Sequence, residues 1–184
     1  NDFIECAKTF FPLGDYITIN ISSPNTEGLR DFHNKEHLKR LLSNINLVRE
    51  TSNFNKSFLL KVSPDLDDVS IDNIVQLSLE NNIDGLILTN TTDRNRENLL
   101  DEKKNEKGGL SGKPIQALST SYIKKFYKKL NGKIPIIGVG GIDSGKSAFE
   151  KISAGASALQ LYTAMIYKGP IVVKKIKEEL ITLL

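Results

Sequence analysis

The chain has 184 residues, the length of one domain, and 39% of them are hydrophobic, which is enough to form a packed core. No apolar run reaches the roughly 18 residues that a membrane-spanning helix needs, and the net charge of +3 is too mild, with lysines too mixed among acids, to indicate a nucleic-acid-binding surface. The single cysteine, Cys6, excludes a disulfide within the chain and indicates a reducing compartment.

Strand and helix patterns alternate along the chain. Short, nearly continuous apolar runs, typical of parallel strands buried on both faces, predict strands at 16–20, 58–62, 85–89, 134–139 and 158–162. Helical spacing predicts amphipathic helices with the apolar faces Leu38-Leu41-Leu42-Ile45-Val48, Ile123-Phe126-Tyr127-Leu130 and Val173-Ile176-Leu180-Leu183, the last running to the C-terminus. This alternation requires a parallel sheet with right-handed crossovers.

Polar or glycine residues follow each predicted strand, and they distinguish two ways of completing the sheet. An open doubly wound sheet concentrates its site at one switch point, whereas a (β/α)8 TIM barrel brings every strand end to one mouth. All five strand ends carry such residues: Asn20, Lys61, Thr89-Asn90, Gly140-Gly141 and Tyr162-Thr163. We therefore predict an α/β fold of the TIM-barrel type. Because that barrel has eight strands, we expect residues 1–184 to form its C-terminal portion, with about the last five β/α units and with the first strands outside this chain.

The loop at 20–30, with the sequence NISSPNTEGLR, combines two carboxamides with three hydroxyls. Carboxamides both donate and accept hydrogen bonds, so two of them suit a planar heterocycle with amide-like edges. Pro24 biases Ser23 towards an extended conformation, which gives its hydroxyl a set direction. The alternative is an ordinary turn that only connects a strand to a helix.

Lys61 ends an otherwise apolar strand, and a buried lysine needs a partner. An anion or an electron-rich ring would supply one. A Schiff-base lysine is a second interpretation, and a surface lysine at a sheet edge is a third. Asn90 follows the next strand, where it adds another carboxamide or forms a simple turn.

Two glycine-rich segments, 108–114 and 138–142, each precede a predicted helix, with Pro114 at one helix start. Glycines there let backbone N–H groups approach a phosphate at a helix N-terminus. The loops after the last two strands of a barrel often form such a site, and 138–142 together with Tyr162-Thr163 are those loops. The alternative is a pair of tight turns without a ligand.

His33 and His37 have the i, i+4 spacing of two metal ligands on one helix face. No third ligand accompanies them, so a solvated helix start is the preferred interpretation and no metal site is predicted. Cys6 is predicted to be a packed or inert thiol in a helical stretch.

The motifs together resemble class 2 (quinone-dependent) dihydroorotate dehydrogenase. The resemblance rests on NISSPNTEGLR at 20–30, TNTT at 89–92, GGLSGKP at 108–114, GVGGI at 138–142 and GASALQLYT at 155–163. It covers essentially the whole chain in the expected order. Class 1 members carry cysteine at the position of Ser23.

The resemblance also implies roles for individual residues. Ser23 is expected to be the catalytic base, supported by Thr26. The expected substrate-binding residues are Asn20, Asn25, Asn90 and Thr91. The expected contacts to flavin mononucleotide (FMN) are Asn20, Lys61, Thr89, Ser111 and Gly112, with its phosphate on the backbone of Gly140, Gly141, Tyr162 and Thr163.

The reaction implied is the FMN-dependent oxidation of dihydroorotate to orotate in pyrimidine biosynthesis. Ser23 removes the proton from C5, the hydride of C6 passes to N5 of the flavin, and a quinone accepts the electrons. The quinone site and a peripheral contact with the mitochondrial or bacterial inner membrane are expected in an N-terminal region outside this chain. The residues leave two alternatives: a phosphate-binding barrel lyase that uses Lys61 as a Schiff base, or an inactive fragment that acts as a binding module.

Overall fold

The computed structural model describes residues 2–52, 55–94 and 96–184. The helices are α1 (Asp2–Phe10), α2 (Lys35–Thr51), α3 (Asp68–Glu80), α4 (Gln116–Leu130), α5 (Gly145–Ser153), α6 (Thr163–Lys168) and α7 (Ile171–Ile181). The strands are β1 (Tyr16–Asn20), β2 (Ser57–Val62), β3 (Gly85–Leu88), β4 (Ile136–Val139) and β5 (Ala158–Gln160). Short 3₁₀ helices cover Leu29–His33, Glu102–Asn105 and Lys113–Ile115.

The five strands form one parallel sheet in which each strand pairs with the next along the chain, in the order β1-β2-β3-β4-β5. The register aligns Asn20 with Lys61, and Val62 with Leu88. An open doubly wound sheet reverses its strand order at the switch point, and the described strands show no reversal. The predicted β/α alternation is therefore confirmed, and the strand order is that of consecutive strands of a β/α barrel.

Four strand boundaries differ from the prediction by one or two residues, among them the start of β2, which comes one residue early. β4 begins at Ile136, two residues later than expected. Pro135 accepts a hydrogen bond from Leu86 N (3.0 Å) but has no N–H to donate, so it stands before the strand. β3 and β5 end at Leu88 and Gln160, because the chain turns there into the polar loops of the site.

The predicted helix faces are buried with a few exceptions. All five residues of the predicted apolar face of α2 are buried, and so are Ile123 and Phe126 of α4. Tyr127, however, is 48% exposed. Its ring covers Gly155, where an added Cβ would lie 2.2 Å from Tyr127 Cγ. The burial prediction for this residue was wrong because Gly155 leaves room for the ring at the surface.

The last helix is also shorter than predicted. α7 ends at Ile181, and Leu183 N donates to Leu180 O (3.0 Å) in a terminal turn. Val173 and Leu183 are largely exposed, so Val172 and Ile176 form the buried face of this helix instead.

Two clusters of buried apolar side chains hold the strand ends in place. The larger one packs the sheet against α1 to α4, and its members include Phe11, Phe58 and Phe126. The smaller one joins α5, α6 and α7 around Ile142 and Ile176. Because Ile142 belongs to the smaller cluster and directly follows Gly141, the packing of this cluster holds the loop after β4 in position.

Candidate active site at the carboxyl end of the sheet

A cavity of about 400 Å³ opens at the carboxyl end of the strands. It is lined by residues 61, 89–91, 139–142 and 161–164, which come from four successive strand ends, and by residues of the 109–115 segment. This volume lies within the range of small-molecule sites, about 300–1,000 Å³. A second cavity, of about 780 Å³, is lined mainly by the charged 96–113 loop. Of the residues predicted at the strand ends, Thr163 is the only described one that lines this second cavity.

Two carboxamides meet beside the first cavity. Asn90 Nδ2 donates to Ser22 Oγ (2.9 Å) and to Asn20 Oδ1 (3.2 Å), and Ser22 Oγ donates to Asn20 Oδ1 (2.9 Å). Ser22 is fully buried and joins two side chains from positions 70 residues apart. Asn20 Nδ2 has no hydrogen-bond partner in the described part of the chain, so it remains available to a ligand. Sequence reasoning missed the role of Ser22, because the motif gives a reason to single out Ser23, which precedes Pro24, and none to single out Ser22.

The Ser23 hydroxyl accepts two hydrogen bonds from its own loop. The donors are Asn25 N (3.2 Å) and Thr26 Oγ1 (3.5 Å). Ser23 is half-buried, whereas Asn25 and Thr26 are exposed. The structure thus brings Ser23 and Thr26 together, but neither of them lines the 400 Å³ cavity, and Asn25 does not line it either. Two donors directed at one hydroxyl oxygen favour negative charge on that oxygen.

An ion-pair network anchors the same loop to the neighbouring strand ends. Arg30 Nη2 pairs with Asp65 Oδ2 (2.9 Å) after β2, and Arg30 Nη1 pairs with Asp93 Oδ2 (2.8 Å) after β3. The carboxylate of Asp65 also accepts a hydrogen bond from Thr92 Oγ1. Sequence reasoning quoted Arg30 in its motif without giving it a role and did not find Asp65.

Lys61 lies in β2, between β1 and β3, so the interpretation as a surface lysine at a sheet edge was wrong. Its side chain lines the cavity, and burial lowers the pKa of its ammonium group. None of the described residues forms a hydrogen bond or an ion pair with it. A half-buried cation without a partner is suited to an anionic or electron-rich ligand.

Thr89 provides a second unsatisfied polar group at the cavity. Its Oγ1 atom is buried and has no hydrogen-bond partner among the described residues, and the residue is 1% exposed. Buried hydroxyl groups are rarely left without a partner. A ligand group in the cavity would supply the missing hydrogen bond.

The glycine segment at 108–114 packs closely against two other loops. A Cβ at Gly109 would lie 2.0 Å from Thr91 Oγ1 and 3.0 Å from Pro24 Cγ. Gly112 has a φ of +74°, and a Cβ there would lie 2.9 Å from Thr163 Cγ2. Thr163 Oγ1 also donates to Ser111 Oγ (2.9 Å). The segment therefore connects the Ser23 loop to the start of α6, and only glycine fits at these contacts.

The turn at Gly140-Gly141 offers backbone donors to the cavity. Both residues have positive φ values, +113° and +75°. A Cβ at Gly141 would lie 2.5 Å from Gln116 Cβ. No hydrogen bond to a described residue uses the backbone N–H of either glycine, and both line the cavity beside Tyr162 and Thr163. Unpaired N–H groups in such a turn form a concave anion-binding surface.

The two histidines have different environments. His37 is exposed, and its backbone N–H contacts the Asn34 side chain that caps α2, as expected for a solvated helix start. The same interpretation was wrong for His33, whose Nε2 atom is buried without a partner. Burial, and then the nearby Arg30 guanidinium, lower the pKa of His33 to about 4.

The described residues contain no group of three or more His, Cys, Asp or Glu side chains placed to hold a metal ion. Cys6 lies in a helix, α1, as expected, but it is exposed, so of the two predicted alternatives the packed thiol was wrong and the inert thiol stays a prediction.

Parallel strands that deliver carboxamides, a lysine and a glycine turn to one mouth define an α/β barrel site of the kind that binds a phosphate-bearing ligand. The sequence matches the family described as dihydroorotate dehydrogenase over residues 1–184. The chain belongs to that family.

Individual relatives support this assignment. The chain is 46% identical over 185 residues to the mitochondrial dihydroorotate dehydrogenase (quinone) of Mus musculus, which covers 100% of this chain and 47% of the mouse protein. It is 46% identical over 183 residues to the dihydroorotate dehydrogenase (quinone) of Psychrobacter sp. strain PRwf-1, covering 97% and 53% of the two sequences.

The crystal structure of DHODH from Eimeria tenella in complex with ferulenol matches the fold with a TM-score of 0.95 at 39% identity, covering 99% of this chain and 53% of that one. The predictions of the family and of the TIM-barrel fold are confirmed, and the mouse and Psychrobacter relatives are both named as the quinone type. The chain spans about half the length of the relatives it matches.

Proposed function

We propose that the protein oxidises dihydroorotate to orotate in pyrimidine biosynthesis, with FMN as cofactor and a quinone as electron acceptor. Residues 1–184 form the C-terminal portion of a single FMN-binding (β/α)8 barrel in this proposal. The observation that carries it is that one 400 Å³ cavity is lined by every residue expected to contact FMN, except Asn20. Asn20 lies next to it through its contact with Asn90.

The chemistry of the cavity fits FMN. The unpaired N–H groups of Gly140 and Gly141 suit the phosphate, and the unpaired hydroxyl of Thr89 suits a polar edge of the ring system. The ammonium of Lys61 would bind the electron-rich part of the ring. When bound, FMN supplies the hydride acceptor.

The substrate would bind through carboxamides that the fold has already oriented. Asn20 and Asn90 are held together by Ser22, so their amide groups do not have to be ordered by the ligand. Asn25 and Thr91 complete the expected set, and Thr91 N donates to Asn90 Oδ1 (2.8 Å). These groups match the imide-like edge of a dihydropyrimidine.

Ser23 is the proposed base that takes the proton from C5 of dihydroorotate. A serine hydroxyl is a weak base, so Ser23 has to release its own proton to solvent, which reaches the loop beside the exposed Thr26, as its Oγ atom takes the proton from C5. The hydrogen bonds from Asn25 N and Thr26 Oγ1 stabilise the negative charge that develops on Ser23 Oγ during this exchange. Thr26 therefore acts as a positioning and stabilising residue.

The two edges of the sheet support the proposal that further strands complete the barrel. β1 and β5 each pair with only one described strand. Large apolar side chains are exposed on α6 and just before it, with Tyr162 at 75%, Ile166 at 67% and Tyr167 at 85%. Exposed apolar surface beside an unpaired strand edge is suited to burial against further strands and helices.

We place the quinone site mostly outside residues 1–184, together with a peripheral membrane contact at the mitochondrial or bacterial inner membrane. None of the helices described here is long and apolar enough to cross a membrane. The mouse relative is named as mitochondrial. No nucleic-acid partner is proposed, since the charged side chains alternate in sign along the surface loops.

The decisive experiment uses the full-length protein. Purified protein should carry a yellow flavin whose absorbance is lost on anaerobic addition of dihydroorotate and restored by a quinone. Loss of colour with dihydroorotate and recovery with fumarate or NAD, but not with quinone, would contradict the proposed acceptor. A protein that binds no flavin would contradict the proposal as a whole.

A Schiff-base lyase remains a second candidate because Lys61 is half-buried, without a partner, and has a lowered pKa. These are properties of lysines that attack carbonyl groups. Borohydride reduction in the presence of a carbonyl substrate would leave a stable adduct on Lys61 if this candidate were correct. A binding module without turnover is disfavoured because the polar set around Ser23, Lys61 and Asn90 is intact.

A further inference from the structure

Lys151 is a fully buried lysine that the proposed reaction does not use. It lies on α5 with a relative exposure of 0%. Its Nζ atom donates to Thr120 Oγ1 (3.0 Å), Ser119 Oγ (3.2 Å) and Gln116 O (3.3 Å), all in the first two turns of α4. No carboxylate of a described residue lies within hydrogen-bond distance of it. The neighbouring Glu150 carboxylate instead accepts from Gln116 Nε2 (2.8 Å).

This position is electrostatically unfavourable for a cation in the protein alone. A buried charge without a counter-ion is costly. Lys151 lies in the last turn of α5, where the helix dipole favours a cation, but its Nζ atom contacts the first turns of α4, where the dipole favours negative charge. Burial lowers the pKa of Lys151 to about 8, with the Glu150 carboxylate opposing the shift. The side chain therefore stays mainly protonated at neutral pH.

The same ammonium group lies one hydroxyl away from the glycine turn of the cavity. Ser119 Oγ, which accepts from Lys151 Nζ, donates to Val139 O at the end of β4. A Cβ at Gly140 would lie 3.1 Å from Ser119 Oγ. A chain of contacts thus runs from Lys151 through Ser119 to the turn whose N–H groups are unpaired.

We propose that Lys151 is a buried counter-charge for the phosphate of the flavin cofactor, acting through space and through Ser119 without touching it. This inference rests on the proposed function, since it takes the bound anion to be that of FMN. The phosphate supplies the negative charge that the described residues around Lys151 Nζ do not provide. In low-dielectric surroundings the attraction between the ammonium and the phosphate extends beyond contact distance. Lys151 is a positioning residue of the cofactor site.

Hydrogen bonding alone does not account for this lysine. If the ammonium is removed, Ser119 Oγ still donates to Val139 O, and Thr120 Oγ1 still donates to Gln116 O (2.9 Å). No donor is left unpaired. An apolar side chain of similar length in place of a buried ion is often neutral or stabilising. A purely structural role therefore predicts no specific effect on a phosphate ligand.

The test compares Lys151→Met and Lys151→Gln with Lys146→Met in the full-length protein. Lys146 lies on the same helix and is exposed, so its variant removes the same charge without the buried environment. The affinity of each apoprotein for FMN and for riboflavin, which lacks the phosphate, is measured by flavin fluorescence. The melting temperature is recorded with and without FMN.

Both Lys151 variants should bind FMN about 10- to 100-fold more weakly, as expected for the loss of one charge at a distance of several ångströms. Their affinity for riboflavin should stay within about twofold of the original, which is small beside the tenfold that 1.4 kcal/mol represents. Without FMN, their melting temperatures should be unchanged or higher, and Lys146→Met should behave like the unmodified protein.

Three results would overturn the inference. Equal losses for FMN and riboflavin would indicate a packing effect on the whole site. Unchanged FMN affinity would exclude the counter-charge role, and failure of both variants to fold would show that Lys151 is needed for the structure itself. If the unmodified protein bound no FMN, the proposed function would fail first, and the inference with it.

Discussion

Arg30 Nη2 lies 2.9 Å from Asp65 Oδ2, and this ion pair ties the loop of Ser23 to the end of β2. The Asp65 carboxylate is only 5% exposed, while Arg30 is 26% exposed. A pair this sheltered differs from the many exposed pairs on the helices, which contribute little to stability. The position of the proposed base therefore depends on two residues that do not face the cavity.

Substitution of this pair should affect both stability and turnover. We expect Asp65→Asn to lower the free energy of unfolding by about 1–3 kcal/mol, because Arg30 and Thr92 lose a charged acceptor. Turnover should fall about 10- to 100-fold as the Ser23 loop shifts. Denaturant unfolding and steady-state kinetics of the full-length protein measure the two effects.

Lys174→Ala is the matched control, because it removes an exposed ion pair with Glu178 at 3.7 Å on α7. Its effect on stability should stay within about 0.5 kcal/mol, and its turnover should be unchanged. If Asp65→Asn behaved like this control, the pair would have no anchoring role.

Ser23→Ala should lower turnover by about 10²- to 10⁴-fold, the usual effect of losing a positioned acid–base group. Flavin binding should survive, because Ser23 does not line the 400 Å³ cavity. Turnover with dihydroorotate and the flavin absorbance of the purified protein measure the two properties. Thr26→Ala should have a smaller effect, since Asn25 N still donates to Ser23 Oγ. Near-normal turnover of Ser23→Ala would remove this residue from the role of base.

Gly141→Ala should weaken FMN binding and lower the stability of the protein. Alanine at a φ of +75° costs about 1–2 kcal/mol, and its Cβ would also lie 2.5 Å from Gln116 Cβ, so α4 or the turn has to move. Gly132→Ala is a close control, because Gly132 has a φ of +73° and nothing within 4 Å of an added Cβ. Equal losses of FMN affinity and stability in the two variants, measured by flavin fluorescence and denaturant unfolding, would show that the close approach to α4 does not matter.

We expect the protein to lose stability at acid pH because the pKa of His33 is lowered in the folded state. The pKa of this side chain is lowered in the folded protein to about 4 by burial and by Arg30, while the unfolded chain has a value near 6.5. Below pH 6.5, His33 therefore binds a proton in the unfolded state but stays neutral in the folded state. The free energy of unfolding falls as the pH drops from 6.5 towards 4. Partial exposure screens the effect, so we expect a contribution of about 1–2 kcal/mol.

Unfolding curves at pH 7.5 and pH 5 test this expectation. His33→Gln should reduce the pH dependence, whereas His37→Gln should not, because His37 is exposed at the start of α2. An identical pH dependence in His33→Gln and the unmodified protein would assign the acid sensitivity to other groups.

The sequence was sufficient for the features that depend on local patterns. Apolar runs and helical spacing predicted all five strands and the helices α2, α4 and α7, since each of these elements buries a face that can be recognised from its own residues, whereas α3 was not predicted. The placement of Lys61, Asn90 and the Gly140-Gly141 turn at strand ends followed from the parallel order of the strands. The motifs around Ser23 and 108–114 were distinctive enough to indicate the family.

Only the tertiary structure decided which side chains support these residues. Ser22 joins carboxamides 70 positions apart, Arg30 reaches Asp65 across 35 positions, and Lys151 reaches Ser119 across 32. The burial of His33 Nε2 and the exposure of Tyr127 also contradicted the local pattern. Such contacts depend on how the helices and loops pack over the sheet, which no short-range periodicity encodes. Local chemistry therefore determined what each strand end carries, and packing determined which buried charges and hydroxyl groups hold it in place.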